Sequence, residues 1–367
     1  MYNRLIYIQF FYCGRRILAK IKLSKKTIAA VTSVACAAVI ITTLLIVNIF
    51  YPLKYFTAYI VRREPFEEGE LEMCVLDVGQ ADCTIVSLPD GRTLLIDGGD
   101  GTYRNNLKIL TELNRRGVDY IDYVICTTVD DEYCGGLGEI IRNKDVGAIF
   151  YPFCNNRYIC DGFADFISAA ESSGAQRVIS EYGAGVSLED FYFTFLSPSV
   201  HTSPTSEYGC LNSDPSAENI AAASAVMWLE YAGAGILYAG STSGDKLSEI
   251  AATYALMQEL GDPDGYFTFD GHEIDLSACV AYKVPAHAAD SALATDFTDL
   301  ISPQYSFVSV GENNAEGCPS VFVLADLLAH AEGVQGDDGI FMTMYDGDIT
   351  LTIDADGEAQ VSCSEAA

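Results

Sequence analysis

The stretch LEMCVLDVGQADCTIVSLPDGRTLLIDGG, residues 71–99, predicts three short strands in succession. The first, Leu71–Asp77, and the second, Asp82–Leu88, flank a glycine-containing turn, and a Pro-Asp-Gly turn leads into the third, Arg92–Asp97. Apolar and β-branched residues fill the three runs, and Gly, Asp and Pro separate them, as in strands joined by tight turns. The sequence therefore predicts a meander of neighbouring strands.

Helix and strand patterns alternate from this meander to the end of the chain. Apolar spacing predicts a helix at Asn105–Arg116, then a strand at Tyr120–Thr128, and a similar alternation fills the second half. It ends in a predicted hairpin of Ile340–Tyr345 with Ile349–Ile353. This order favours one layered α/β domain over residues 71–363, with two halves of similar content.

Two segments interrupt the alternation. Residues 197–219 are rich in Ser, Pro and Asn and indicate a polar loop that is unsuited to a core. Residues 262–275 start with Asp-x-Asp-Gly but lack the remaining ligand spacing of a calcium loop, so they indicate a solvated insertion.

Charge is distributed very unevenly along the chain. Residues 1–63 hold 10 of the 21 Lys and Arg residues and no acid, so residues 64–367, with the other 11 and all 51 acids, have a formal net charge of −40. Such an acidic surface repels nucleic acid, which argues against a nucleic-acid partner.

An uncharged apolar run of 24 residues, Thr27–Phe50, is long enough to cross a bilayer as a helix. A cleaved signal peptide is the alternative, but its apolar core is shorter, and no small-x-small cleavage site follows. Seven Lys and Arg residues precede the run and three follow it closely, which predicts a cytoplasmic N-terminus and an extracytoplasmic main domain. The predicted organisation is a basic cytoplasmic segment (1–26), one transmembrane helix (27–50), a linker (51–70) and the domain (71–363). The segment Leu5–Tyr12 is too short to span and is a candidate for the inner membrane interface.

Ten of the 12 cysteines follow the apolar run. Cys154 and Cys160 bracket a turn-rich segment and are the favoured local disulfide pair, because an outside location permits disulfides. Buried free thiols are an equally good interpretation.

An acidic turn follows the strand at Tyr120–Thr128. In VICTTVDDEYCGGL, residues 124–137, three consecutive acids lead into Gly135-Gly136 and an apolar segment. Acids at the end of a strand can bind a cation or transfer protons, whereas acids in the first turn of a helix simply suit its dipole. The residues alone leave both interpretations open.

Two segments, LDVGQADCTIV at 76–86 and PDGRTLLIDGG at 89–99, resemble the opening of the metallo-β-lactamase-fold domain found at the C-terminus of ComEC-type DNA-uptake membrane proteins. The resemblance continues through residues 123–137, 236–240, 283–287 and 307–319. It implies a four-layer αββα sandwich with its site along one edge of the two sheets. The framework positions that carry it are Asp77, Gly79, Asp82, Asp97, Gly98, Gly135 and Gly136. The residues themselves suggest that the three aspartates fix backbone geometry at the glycine turns.

The residues expected to bind metal in this family are largely missing here. Aligning on Gly135-Gly136 places four other residues in the family's His-x-His-x-Asp-His run, a serine replaces the bridging aspartate, one histidine of a pair is lost, and a cysteine stands before Pro319. These eight positions, called the candidate site below, are Thr128, Asp130, Glu132, Tyr133, Ser241, Ala286, His287 and Cys318.

The departures predict a domain without a bound metal or cofactor, because a dinuclear zinc site needs several imidazoles and the chain has four histidines in all. The leading hypothesis is a non-hydrolytic member that acts in binding or assembly with an unknown protein partner. The alternative is a metal-dependent phosphodiesterase or nuclease in which Asp130, Glu132 and His287 hold Zn²⁺, Mn²⁺ or Mg²⁺.

Overall fold

The structure is a computed structural model that describes residues 6–12, 15–21, 24–50, 69–330 and 339–365. The chain divides into two compact units, residues 1–57 and 58–367, which are described separately.

In the first unit, strands β1 (Ile6–Tyr12) and β2 (Arg15–Ile21) pair antiparallel, and helix α1 spans Lys25–Phe50. The segment Leu5–Tyr12 is thus a paired strand over its described residues, Ile6–Tyr12. Its location at the inner membrane interface stays a prediction. Among the described residues, α1 is the one helix long and apolar enough to cross a bilayer. Of the predicted linker, only Gly69 and Glu70 lie within the described residues.

The second unit contains the remaining strands. In chain order they are β3 (Leu71–Val75), β4 (Thr84–Ser87), β5 (Thr93–Ile96), β6 (Tyr120–Ile125), β7 (Asp145–Tyr151), β8 (Gln176–Ile179), β9 (Gly185–Ser187), β10 (Phe191–Ser197), β11 (Val226–Tyr231), β12 (Ala234–Tyr238), β13 (Thr268–Phe269), β14 (His272–Glu273), β15 (Cys279–Lys283), β16 (Tyr305–Val308), β17 (Ile340–Met342), β18 (Ile349–Ile353) and β19 (Ala359–Cys363).

Ten α-helices and three short 3-10 turns connect these strands in the described part of the second unit. The helices are α2 (Tyr103–Arg115), α3 (Asp131–Cys134), α4 (Leu137–Asn143), α5 (Asp161–Ser173), α6 (Glu207–Ser213), α7 (Ala217–Ala222), α8 (Gly244–Leu260), α9 (Thr295–Ile301), α10 (Val321–His330) and α11 (Thr343–Asp346). The 3-10 turns are Leu276–Ala278, Ala286–Ala288 and Asp290–Ala292.

Two large sheets have the same internal plan. The eight-stranded sheet has the order β19-β18-β3-β4-β5-β6-β7-β8, and the seven-stranded sheet has the order β17-β16-β15-β12-β11-β10-β9. In each, an antiparallel meander (β3-β4-β5 or β10-β11-β12) continues into parallel strands. This arrangement accounts for the similar content of the two halves.

Three separate apolar clusters show how the layers stack. One joins the eight-stranded sheet to helices such as α2, α4 and α5, and another joins the seven-stranded sheet to α8, α9 and α10. The third contains residues of both sheets, such as Val75 and Ile96 with Phe193 and Ile236. Central strands such as β3, β5 and β12 are buried throughout because both of their faces are covered. The unit is an αββα sandwich, as predicted.

Three sequence predictions are wrong. β17 and β18 are not a hairpin: β17 pairs with β16, whereas β18 pairs with β3 in the other sheet, because α11 carries the chain between sheets. The 197–219 loop contains α6 and α7, and its Tyr208 and Leu211 are fully buried. The insertion at 262–275 forms the β13-β14 hairpin and buries Phe267 and Ile274, so it is only partly solvated.

Three of the four framework glycines, Gly98, Gly135 and Gly136, allow close backbone contact, whereas Gly79 has open space around it. A Cβ atom on Gly136 would lie 2.1 Å from the carbonyl oxygen of Gly98 and 2.5 Å from the side-chain oxygen of Asn106. A Cβ atom on Gly98 would lie 2.6 Å from the backbone nitrogen of Leu137. A side chain at either position therefore requires the backbone to move.

We expect Gly136→Ala to lower the free energy of unfolding by about 2–4 kcal/mol, because the clash is with rigid backbone. The matched control is Gly174→Ala: this residue has φ +78° and open space around it, so the left-handed conformation alone should cost about 1 kcal/mol. Urea unfolding of the full chain in detergent, followed by tryptophan fluorescence, measures both. Equal losses would contradict the packing argument.

Candidate functional site

The acidic turn lies at the carboxyl end of β6 and is organised by backbone contacts. The Asp130 carboxylate accepts a hydrogen bond from the Glu132 backbone nitrogen at 3.1 Å and caps α3. The Asp131 carboxylate accepts from the Gly162 backbone nitrogen at 2.7 Å. Burial, followed by the charge of Glu132, raises the pKa of Asp130 above its ordinary value, although the capping bond opposes the shift. Two of the three acids therefore hold the loop in shape.

The third acid, Glu132, pairs with the surviving histidine. Its carboxylate lies 3.1 Å from Nε2 of His287, and Nδ1 of the same ring lies 2.8 Å from the carbonyl oxygen of Ser309. The Ser309 carbonyl and a carboxylate both accept hydrogen bonds, so this geometry favours a proton on each ring nitrogen of His287. The His287 side chain is 3% exposed.

Tyr133 packs against this pair. Its ring centroid lies 5.3 Å from that of His287 with the planes tilted by 32°. Its hydroxyl is buried beside the Ser241 side chain. The buried hydroxyl of Thr128 has no hydrogen-bond partner among the described residues. Burial, followed by the charge of Asp82, raises the pKa of Tyr133 well above its ordinary value. A neutral aromatic ring thus occupies a position that the family resemblance assigns to a histidine.

A buried ion pair lies behind His287. Nζ of Lys283 is 2.5 Å from the carboxylate of Asp82, and each side chain is 1% exposed. The same carboxylate accepts hydrogen bonds from the hydroxyls of Tyr238 at 3.0 Å and Ser309 at 3.2 Å. Since the Ser309 carbonyl accepts from His287, a continuous polar network runs from Lys283 through Asp82 and Ser309 to His287 and Glu132.

Asp82 therefore does more than fix a turn, and the sequence prediction for it is wrong in this respect. Sequence reasoning also missed Lys283. The available signal was a single lysine in the apolar strand CVAYK, since lysine is almost never fully buried unless it is paired.

Asp77 and Asp97 fit better the prediction that these aspartates fix backbone geometry. Asp77 accepts a bond from Gly79 at 3.2 Å, and Asp97 accepts from the backbone and hydroxyl of Thr127 at 2.8 and 2.7 Å.

The other candidate-site residues make contacts of different kinds. The Ser241 backbone binds the Ser224 hydroxyl at 2.8 Å, and the Ala286 backbone binds the Gly240 carbonyl at 3.1 Å. Burial, and then the charges of Glu316 and Glu132, raise the pKa of the Cys318 thiol, and this residue is 9% exposed. The chain's other three histidines contact different groups: His201 binds Glu181, His272 stacks on Tyr192, and His330 binds Asp299.

The donor set does not fit the dinuclear metal centre that the resemblance implies. Across the described residues, no group of three or more His, Cys, Asp or Glu side chains is arranged to hold a metal ion. Both nitrogens of His287 face acceptors, and Asp130 is engaged as a helix cap. Tyr133 and Thr128 offer buried hydroxyls, which bind zinc poorly in comparison with imidazole.

The cysteines lack the predicted local pair. Cys154 and Cys160 are free thiols, as are the other cysteines in the described part of the chain. The Cys154 thiol lies 3.5 Å from the Asn156 carbonyl oxygen, whereas Cys160 faces Cys134. The turn directs the two side chains to different neighbours, and the spacing of the two cysteines in the sequence does not reveal these directions.

Comparison with known proteins agrees with the sequence resemblance. The chain is similar to ComE operon protein 3 of Bacillus subtilis (strain 168), with 22% identity over 285 residues, covering 72% of this chain and 31% of that protein. The domain is ComEC-like and has the metallo-β-lactamase fold. The match thus spans less than a third of the relative. No family model matches the chain.

Solved structures give more distant similarities. CmlA from Streptomyces venezuelae, described as a diiron β-hydroxylase, matches with TM-score 0.41 and 13% identity over 80% of this chain and 55% of that one. The metallo-β-lactamase fold protein YhfI from Bacillus subtilis matches with TM-score 0.36 and 10% identity over 79% of this chain and 100% of that one. A Cronobacter sakazakii metallo-β-lactamase with a HARLDQ motif has TM-score 0.32 and 15% identity over 51% and 65% of the chains.

We expect Lys283→Met to lower the free energy of unfolding by about 3–5 kcal/mol, because it leaves the Asp82 carboxylate buried without its cation. The double variant Lys283→Met with Asp82→Asn should recover part of that loss. As a control, Arg142→Met removes a pair with Asp165 in which both side chains are 46% exposed, and it should cost at most about 1 kcal/mol. A double variant no more stable than Lys283→Met would contradict this account.

The stability that His287 contributes should depend on pH. Burial lowers its pKa, but the bond to Glu132, the charge of Asp82 and the Ser309 carbonyl together raise the pKa above 6.5, against the charge of Lys283. A raised folded pKa stabilises the fold fully below the unfolded value of about 6.5, and this contribution is lost as pH rises through the folded pKa.

The measurement is the difference in unfolding free energy between wild type and His287→Gln across pH 5.5 to 9. We expect a plateau below about pH 6.5 and a decline above it. In the Glu132→Gln background the plateau should be smaller and the decline should end at lower pH, because the folded pKa of His287 lies closer to the unfolded value. A difference that rises with pH would show that His287 is neutral in the fold.

Proposed function

We propose that the protein is a membrane-anchored, extracytoplasmic ComEC-like domain that does not hydrolyse and that acts in binding or assembly with a protein partner. The proposal rests mainly on the contacts of His287. Metal binding needs a free lone pair on an imidazole nitrogen, and here both nitrogens face hydrogen-bond acceptors, Ser309 and Glu132.

The charge balance of the site supports the same proposal. A metal centre neutralises its carboxylates with a bound cation, whereas here protein cations do so: Lys283 pairs with Asp82, and His287 pairs with Glu132. These carboxylates need no further positive charge to be stable when partly or fully buried. Protein cations thus pair with two carboxylates of the site, which supports a site that holds no metal.

The anchor and its orientation follow from α1 and the flanking charges. The helix has the length and composition of a membrane span, and seven basic residues precede it while three follow closely. The positive-inside rule then directs the domain outward. The net charge of −40 over residues 64–367 favours a protein partner over nucleic acid.

One observation favours the alternative, a metal-dependent hydrolase with an altered site. The bond from Nδ1 of His287 to the Ser309 carbonyl is the kind of outer contact that orients metal-binding imidazoles. If Nε2 lost its proton, His287, Glu132 and Asp130 would be the residues available to Zn²⁺, Mn²⁺ or Mg²⁺. The two proposals therefore differ in whether Nε2 of His287 holds a proton or binds a metal ion.

We expect the full chain, purified in detergent without chelator, to contain less than 0.1 equivalent of zinc, manganese or iron by mass spectrometry (roughly the level of adventitious binding). Adding millimolar Zn²⁺, Mn²⁺ or Mg²⁺ should leave its melting temperature unchanged, and bis-p-nitrophenyl phosphate should not be hydrolysed. Asp130→Ala and Glu132→Ala serve as matched variants. Stoichiometric metal, with a thermal shift and phosphodiesterase activity that both variants abolish, would establish the hydrolase instead.

A further inference from the structure

Three thiols lie together behind the acidic turn. The sulfur atoms of Cys134 and Cys160 are 3.9 Å apart, in van der Waals contact. The Cys160 thiol also lies 3.4 Å from the Val129 carbonyl oxygen, and the Cys126 thiol lies 3.1 Å from the Thr128 carbonyl oxygen. All three cysteines are free thiols in the structure.

The backbones that carry Cys134 and Cys160 touch beside the sulfur atoms. The Gly162 backbone nitrogen donates to the Asp131 carboxylate at 2.7 Å, and a Cβ on Gly162 would lie 2.7 Å from the Cα of Gly135. The end of α3 and the start of α5 are therefore packed closely next to the sulfur pair. Forming the S–S bond, whose length is about 2.05 Å, requires the two sulfur atoms to move about 1.9 Å closer together.

We propose that Cys134 and Cys160 are a disulfide-forming pair that covalently ties the acidic turn to α5. Exposure selects this pair over Cys126–Cys134, because Cys126 and Cys134 are fully buried whereas Cys160 is half-buried and can meet an oxidant. The bond would close a loop between positions 26 residues apart. The bond would hold in place the segment that carries Glu132 and Tyr133. The proposal does not depend on whether the site hydrolyses a substrate.

The oxidant is an external small-molecule or protein disulfide, RSSR. The Cys160 sulfur attacks RSSR and forms a mixed disulfide, releasing one RSH, and the Cys134 sulfur then attacks Cys160 and displaces the second RSH. The two thiol protons leave on the two RSH molecules, and the two cysteines lose the two electrons that RSSR gains. Contacts with neighbouring thiols, and then burial, raise the pKa of both Cys134 and Cys160, so we expect the exchange to be slow in the folded protein.

The test treats the full chain in detergent with oxidised glutathione, alkylates the remaining thiols with iodoacetamide, and maps tryptic peptides without reductant. Arg142, Lys144 and Arg157 separate the peptides of Cys134, Cys154 and Cys160. We expect a cross-linked pair of residues 117–142 with 158–177, absent from Cys134→Ser and Cys160→Ser and retained in Cys126→Ser and Cys154→Ser. Cys126 and Cys134 share a peptide, so a bond between them would appear as one peptide lighter by two hydrogens.

Stability provides the second measurement. Oxidised wild type should melt roughly 5 °C above the reduced protein, and Cys160→Ser should show no such difference. Cys160 is half-buried and is the N-cap residue of α5, a position at which serine is favoured. Cys160→Ser should therefore fold even if Cys134→Ser does not. Complete alkylation of all thiols, a bond through Cys126 or Cys154, or a melting difference that persists in Cys160→Ser would overturn the proposal.

Discussion

The ion pair between Lys283 and Asp82 links the two sheets at the candidate site. Lys283 ends β15 in the seven-stranded sheet, and Asp82 precedes β4 in the eight-stranded sheet. An unpaired charge in the interior costs several kcal/mol, so neither side chain is stable there without the other. The pair therefore stabilises the packing of the two sheets against each other at this point. The Asp82 backbone extends this constraint, since its nitrogen binds the Glu132 carbonyl and its carbonyl binds the Gly99 nitrogen, at 3.0 and 2.8 Å.

The same pair is one end of a polar network that connects the loops of the candidate site. In a metal centre, the ion holds several ligands from different loops in place. Here Asp82 reaches Ser309, Ser309 reaches His287, and His287 reaches Glu132, so hydrogen bonds and protein charges make the connections between loops. Hydrogen bonds to Ser309 and Glu132 are therefore enough to orient the His287 ring.

Much of the fold was predictable because it depends on local patterns. The β3-β4-β5 meander, the helices and the glycine turns follow from alternation, periodicity and turn residues that lie within a few positions of one another. The pairing of β17 and β18 with different sheets, the burial of Tyr208 and the approach of Cys134 to Cys160 depend on residues distant in sequence or on the direction of a single side chain. Lys283 and Asp82 are 201 positions apart, and no local pattern relates them.

Besides the Asp130 cap, contacts from residues outside the expected ligand set hold the acidic turn in shape. Asp97 holds Thr127 from one side, Asp82 holds the Glu132 backbone from another, and Gly162 holds Asp131 from a third. Substituting the histidines therefore removes donor atoms without removing the contacts that fold the loop. Every framework glycine and aspartate is present in this chain although the family's histidines are substituted. The framework motifs therefore identify the fold, and the activity depends on the donor atoms themselves.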